Sequence, residues 1–125
     1  MDEVKDREVG TEGESYRVNV GGFEGPIELL LFLIRKSEIN IYDIPISKIT
    51  GQYLQYLSVL KKIDINLTSE FLVMAATLLL IKSKMLLPSP PGMEDEEKED
   101  PREELVRQLI EYQRYKSASR MLSRR

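Results

Sequence analysis

An all-α fold is what this 125-residue sequence predicts, on three observations. Apolar residues recur at spacings of three and four over most of the chain from Phe23 onward. Proline and glycine stand at the borders of those stretches, at Gly25-Pro26, at Pro88 and at Asp100-Pro101, where helices start and stop. Only Tyr16-Arg17-Val18-Asn19-Val20 alternates as a strand would, and a lone strand has no partner edge. The expected architecture is a helical bundle of three core helices, a fourth helix set off by a linker, and at most one short N-terminal strand. Four stretches follow from the changes in composition: a polar, acidic arm over 1–15 that cannot pack, a folded domain over 16–88, a Pro-rich acidic linker over 89–100, and a last helix over 101–125.

The first helix runs from Pro26 to about Lys36. Proline at the first helical position gives up an N–H that had no acceptor anyway. Apart from Glu28, Arg35 and Lys36 the helix is apolar, so it must be buried on more than one side. Asn40, Asp43 and Pro45 are turn residues of a connector whose Ile39, Ile41, Tyr42 and Ile44 are expected to tuck under the helices. The second helix starts near Ser47, taken as its N-cap, and carries Ile49, Tyr53, Tyr56, Leu60 and Ile63 at spacings of four, three, four and three, a coiled-coil seam. Gly51 inside it costs roughly 1 kcal/mol against alanine, which means either close approach of another backbone or simple tolerance.

The third helix, from Ser69 to Leu87 with Asn66 to Thr68 capping its start, is the most informative. Phe71, Met74, Leu78, Ile81 and Met85 form one stripe; Leu72, Ala76, Leu79 and Leu86 form another, flanked by Val73, Leu80 and Leu87. One face can pack on the first two helices, and the other calls for a cover. Phe71 to Ile81 is too short to span a bilayer, which needs about 20 apolar residues, and Lys82 and Lys84 close the run. A second protein or a second copy of the chain is the expected cover. The fourth helix opens at Asp100 as N-cap, with Pro101 at the first position and Glu103 placed for a capping box. Its stripes, Leu105, Leu109, Tyr112 and Ser119 with Lys116 between in one and Val106, Ile110 and Met121 in the other, suggest a helix that docks on a partner rather than on its own domain. Its acidic start and basic end suit the macrodipole.

Composition removes much chemistry. With no Cys, His or Trp there is no thiolate or imidazole metal site, no Cys nucleophile, no Ser-His-Asp triad and no disulfide framework. A formal charge of −3 argues against wrapping nucleic acid by bulk electrostatics. The polar N-terminus has no apolar signal segment, so a cytoplasmic protein is expected. Apparent motifs fail on context. Ser58-Val59-Leu60-Lys61 lacks the elements that accompany a Ser-x-x-Lys nucleophile, and Asn66-Leu67-Thr68 has no export signal before it. Gly21-Gly22-Phe23-Glu24-Gly25 reads as a turn, not a phosphate cradle, and the acidic run Glu94 to Glu99 has no calcium-loop spacing. The Arg-rich chain end lacks the aromatic interleaving of a base-specific reader beyond Tyr112 and Tyr115. No catalytic pair, cofactor site or metal site emerges.

One resemblance gathers these features. Phe23-Glu24-Gly25-Pro26 with Leu29 to Leu31 and Leu33 to Lys36, Ile41-Tyr42-Asp43-Ile44-Pro45, Ile49-Thr50 and Gln52-Tyr53-Leu54 are followed in order by Ser69 to Leu79, Ile81 to Pro88 and Asp100 to Leu105. These blocks resemble the ScpA family, the kleisin subunits of prokaryotic SMC condensin complexes, over residues 16 to about 116. The resemblance implies a non-enzymatic bridging protein with no cofactor. Its N-terminal helical domain adds helices to the coiled-coil neck of one SMC protein, a C-terminal winged-helix domain binds the other head, and the middle segment binds ScpB dimers. The ring so formed holds DNA in chromosome segregation and condensation, so DNA is reached only through the complex, near the nucleoid and away from membranes. Nothing up to Arg125 resembles the winged-helix domain, so an N-terminal fragment is expected. Carried onto this chain, neck binding falls on Tyr53, Tyr56, Leu57 and Leu60 with Leu72, Ala76, Leu79, Lys82, Ser83 and Leu86, and ScpB binding on Leu105, Leu109 and Tyr112. Glutamate at Leu79 or at Leu60 is expected to abolish neck binding with helicity intact. Leu80 stands where the family often has a polar residue, which favours the alternative of a self-associating module, a homodimer in isolation.

Overall fold

The computed structural model describes residues 21–63, 65–88, 91–92 and 99–123. Four helices account for the fold: α1 (Pro26–Lys36), α2 (Ile46–Lys62), α3 (Ser69–Leu86) and α4 (Glu103–Ser123). No strand is present among the described residues, and the alternating segment 16–20, the arm 1–15 and most of the acidic linker lie outside them.

The arrangement follows from α1. Leu29, Leu30, Leu31, Leu33 and Ile34 point in several directions around this helix and all are buried, so α1 must be surrounded. It packs against α2, α3 and α4, whereas α3 and α4 make no packing contact with each other. Its ends are well built. Gly25 is the N-cap with Pro26 following, and the Glu28 carboxylate accepts the Glu24 N–H at 3.0 Å. At the other end the Ile39 N–H reaches the Ile34 carbonyl at 2.9 Å and the Glu38 N–H reaches the Arg35 carbonyl at 3.1 Å, a Schellman closure. That closure puts Glu38 in the left-handed region at φ 55°, a position glycine usually takes. Gly21 and Gly22 take positive φ as well, so the glycine-rich segment before α1 is a turn, as the sequence predicts. In the connector to α2 the Asn40 side chain accepts the Tyr42 N–H, and the Asp43 N–H closes a turn on the Asn40 carbonyl. Ile44 is buried and Ile39 and Ile41 pack partly on the core, but Tyr42 points to solvent, contrary to expectation.

α2 begins at Ile46, with Pro45 at the cap position, so Ser47 is its second residue and not its N-cap; burial of Ile46 draws the start forward. Gly51 has nothing within 4 Å of where a Cβ would lie, which selects tolerance over close backbone approach. The buried Tyr53 hydroxyl donates to the Phe71 carbonyl at 2.9 Å and ties α2 to the first turn of α3, and burial raises its pKa above the ordinary value. Thr68 holds the N-cap position of α3, yet its Oγ1 makes no hydrogen bond, so side-chain capping there is not realised.

α4 is the main correction to the sequence expectation. It docks on its own domain: Leu105 and Leu109 are buried members of the single apolar core, with Val106 and Tyr112 packed against it. The helix begins at Glu103, so Pro101 is not its first residue and Asp100 caps a turn ahead of it, where the reciprocal partner is Arg102 rather than Glu103. Asp100 Oδ1 accepts the Arg102 N–H at 2.9 Å, and the Arg102 guanidinium pairs back to Asp100 at 2.7 Å. The same guanidinium reaches Asp43 at 3.0 Å and the Ile44 carbonyl at 2.7 Å, pinning the head of α4 to the α1–α2 connector. Further along the helix, Lys116 Nζ lies 2.9 Å from Glu24, and the Tyr112 hydroxyl is 3.3 Å from Glu24 and 3.4 Å from Glu28.

Candidate partner-docking surface

The pattern of burial along α3 divides its two stripes. Phe71, Met74, Leu78 and Ile81 are buried against α1 and α2, and Met85 at the end of that stripe is part-exposed. The opposite side carries Leu72, Val73, Leu79, Leu80, Leu86 and Leu87, all exposed, from 47% for Leu79 to 70% for Leu86. Ala76 and Ser83 share that exposure, and Lys82 sits half-buried at the border. Thr77, the polar residue in mid-helix, spends its hydroxyl on the Val73 carbonyl one turn back, at 2.9 Å. An apolar strip therefore runs the length of an 18-residue helix, about 27 Å at 1.5 Å per residue, with nothing of the described chain over it. Each leucine moved from water into a contact would contribute roughly 1.5–3 kcal/mol if fully buried, and strips of this size mark interaction sites.

The neck-binding residues expected from the resemblance are thus not brought to one face. Leu72, Ala76, Leu79, Ser83 and Leu86 lie on the outward side of α3, with Lys82 at its edge. Tyr53, Leu57 and Leu60 face inward and belong to the core, at 0%, 6% and 4% exposure, so a partner cannot touch them without opening the bundle. A glutamate at Leu60 would unfold the domain rather than report on binding. Tyr56 is half-buried in an aromatic triangle with Phe23 and Phe32, ring centroids 5.3–6.4 Å apart. Ile63, the last residue of the expected seam, is exposed, as is Val59, so the outer end of α2 adds apolar area of its own. The expected ScpB residues fare similarly: Leu105 and Leu109 are buried and Tyr112 is engaged with Glu24 and Glu28.

Sequence reasoning missed the Arg102 anchor and the Tyr112–Lys116 clasp, whose partners lie 58 or more residues away and leave no local signal. In the clasp, Lys116 holds the Glu24 carboxyl below its ordinary value, and Glu24 in turn raises the Lys116 pKa. Among the described residues no group of three or more acidic side chains could hold a metal ion, and no helix is long and apolar enough to cross a membrane.

The family model for segregation and condensation protein ScpA matches residues 33–125. Segregation and condensation protein A of Bacillus subtilis is 54% identical over 116 residues, covering 90% of this chain and 46% of that protein. The Xylella fastidiosa protein of the same name is 53% identical over 106 residues, covering 85% of this chain and 35% of that protein, and the Oceanobacillus iheyensis one is 50% identical over 112 residues, with 87% and 45% covered. The chain spans a third to a half of the length of these relatives. A match to the family model over 93 of 125 residues, with half or more of the aligned positions identical, makes the chain a member of the ScpA family.

Proposed function

We propose that this chain is the SMC-neck-binding part of a ScpA-type kleisin, a non-enzymatic bridge between the members of an SMC complex in chromosome segregation and condensation. The observation that carries the reading is the uncovered apolar face of α3, Leu72, Leu79 and Leu86 with their flanking residues, on a domain whose core is already complete without it. A coiled coil offers a complementary ridge, and helix-on-helix packing would seat the leucines as anchors. Family membership and the names of the relatives support the role in segregation and condensation. A ScpB dimer meeting α4 as docked would find Tyr115, Met121 and Leu122 rather than Leu105 and Leu109.

The second reading is self-association along the same face, favoured by the exposed Leu80 and Leu87, which widen the strip. Light scattering over a range of concentrations, with and without an SMC head-neck fragment, separates the two. The proposal expects a heterodimer with the neck, lost in Leu79→Glu while the helical circular-dichroism signal stays. A homodimer that the neck does not dissociate would establish self-association instead.

A further inference from the structure

The neck-docking face leaves the charge pattern of α4 unused. Residues 112–125 carry five cations, Arg114, Lys116, Arg120, Arg124 and Arg125, and no acid, in a chain whose net charge is −3. The fold sorts these cations. Lys116 is neutralised by Glu24 at 2.9 Å and Glu28 at 3.8 Å, and Arg107, one stretch earlier, by Glu104 and Glu111. Arg114 and Arg120 have no acidic partner among the described residues. They line a groove of about 550 Å³ between α4 and α1, and its far wall, Glu28, Leu31 and Arg35, brings a third unpaired cation from a different helix. The helix dipole accounts for one cation at each helix end, but not for two helix ends delivering their cations to one groove together with Arg114.

Against the expectation that DNA is reached only through the complex, we infer that this groove is a sequence-independent contact for the phosphate backbone of duplex DNA. Guanidinium groups pair with phosphate oxygens bidentately, and Gln113 and Ser117, which line the same groove, supply the neutral donors that accompany such contacts. Leu31, Ala118 and Met121 also line the groove, but the groups left unmatched within the described fold are the three arginines, so the complement called for is anionic. No aromatic side chain in the groove is free to stack on a base, because Tyr112 is held by Glu24 and Glu28. The contact therefore adds backbone affinity without reading sequence. It is weak, on the order of 10⁻⁴–10⁻⁶ M at physiological salt, which agrees with the overall negative charge.

The test is fluorescence anisotropy of a labelled 20-base-pair duplex titrated with the full 125-residue chain from 50 to 200 mM salt. Binding independent of sequence is expected, with a logarithmic salt slope of about −3, corresponding to about three phosphates neutralised. Arg114→Ala with Arg120→Ala should lower affinity about tenfold at 50 mM salt and flatten the slope by about two, with unchanged circular dichroism, since both side chains are exposed and unpaired. Lys61→Ala with Lys62→Ala, at the end of α2, should change neither. The inference is overturned by absence of binding at 50 mM salt, by equal losses in the two double variants, or by polyglutamate of matched charge binding more tightly than the duplex. None of these readouts involves α3, so neck binding can stand or fall separately.

Discussion

Glu38 shows how a single residue can record a conflict between local preference and fold. The Schellman end of α1 needs a left-handed residue at this position, and a side chain with a Cβ is held there at a cost of roughly 1–2 kcal/mol, offset by the hydrogen bonds to Arg35 and Ile34 and by burial of Ile44 just beyond. Glu38→Gly is expected to raise stability by about 1 kcal/mol, read as the shift in the urea midpoint at unchanged m-value; a midpoint that falls would mean that the glutamate makes a contribution beyond its backbone. Sequence reading places a turn here through Asn40, Asp43 and Pro45, and the turn is real. What it cannot supply is side-chain direction inside a connector: Ile44 and Tyr42 are two residues apart with similar apolar character, yet one is buried and the other 71% exposed, because only the packing of α4 and Arg102 over Asp43 and Ile44 decides between them.

Among elements, periodicity served α1 and α3 well and misled on α2 and α4. A helix apolar on all sides has to be central or double-faced, and those are the roles α1 and α3 take. A seam of apolar residues at heptad spacing is equally consistent with a partner's helix and with the chain's own, and in α2 and α4 the domain itself claims it through Tyr53, Leu57 and Leu60 and through Leu105 and Leu109. Leu109→Ala should therefore destabilise the whole domain by about 2–5 kcal/mol in chemical denaturation, since the residue is fully buried and leaves a cavity against α1; a cost below about 0.5 kcal/mol would indicate an α4 that is not docked in solution. The polar end of the docking is pH-dependent. The folded-state pKa of Glu24 lies below its ordinary value of 4.5 because Lys116 bonds its carboxylate, so this contribution is present above that value and is lost as pH falls through the depressed one. Asp100, held down by Arg102 at the other end of the clasp, acts in the same direction. Between pH 6 and pH 3 the thermal midpoint of the native chain should fall further than that of Lys116→Met, in which Glu24 has lost its cationic partner and keeps only the Tyr112 hydroxyl; equal falls would mean that the clasp contributes nothing to stability.

At the scale of the molecule, a complete core and an uncovered helix face divide the labour. α1 gathers three helices around itself and stabilises the domain, which leaves the outer side of α3 with no structural task and with Leu72, Val73, Leu79, Leu80 and Leu86 exposed. The sequence foretold the helical class of the whole and that one face of α3 would be left over after packing on the first two helices, because both depend on periodicity alone. It could not separate seams used within the chain from the seam left over, since that depends on long-range pairs such as Tyr53 with Phe71 and Arg102 with Ile44. Because the chain has no cysteine, docking of α3 on an SMC neck can be followed through a single introduced thiol. A single cysteine introduced as Leu79→Cys, on the proposed docking face, or as Tyr115→Cys, on the outer side of α4, is the only thiol in the chain, and its alkylation by a maleimide can be timed with and without a cysteine-free SMC head-neck fragment. Modification at position 79 is expected to be at least about tenfold slower when the neck is saturating, with no change at position 115. Unchanged reactivity at position 79 under saturating neck would contradict docking through α3.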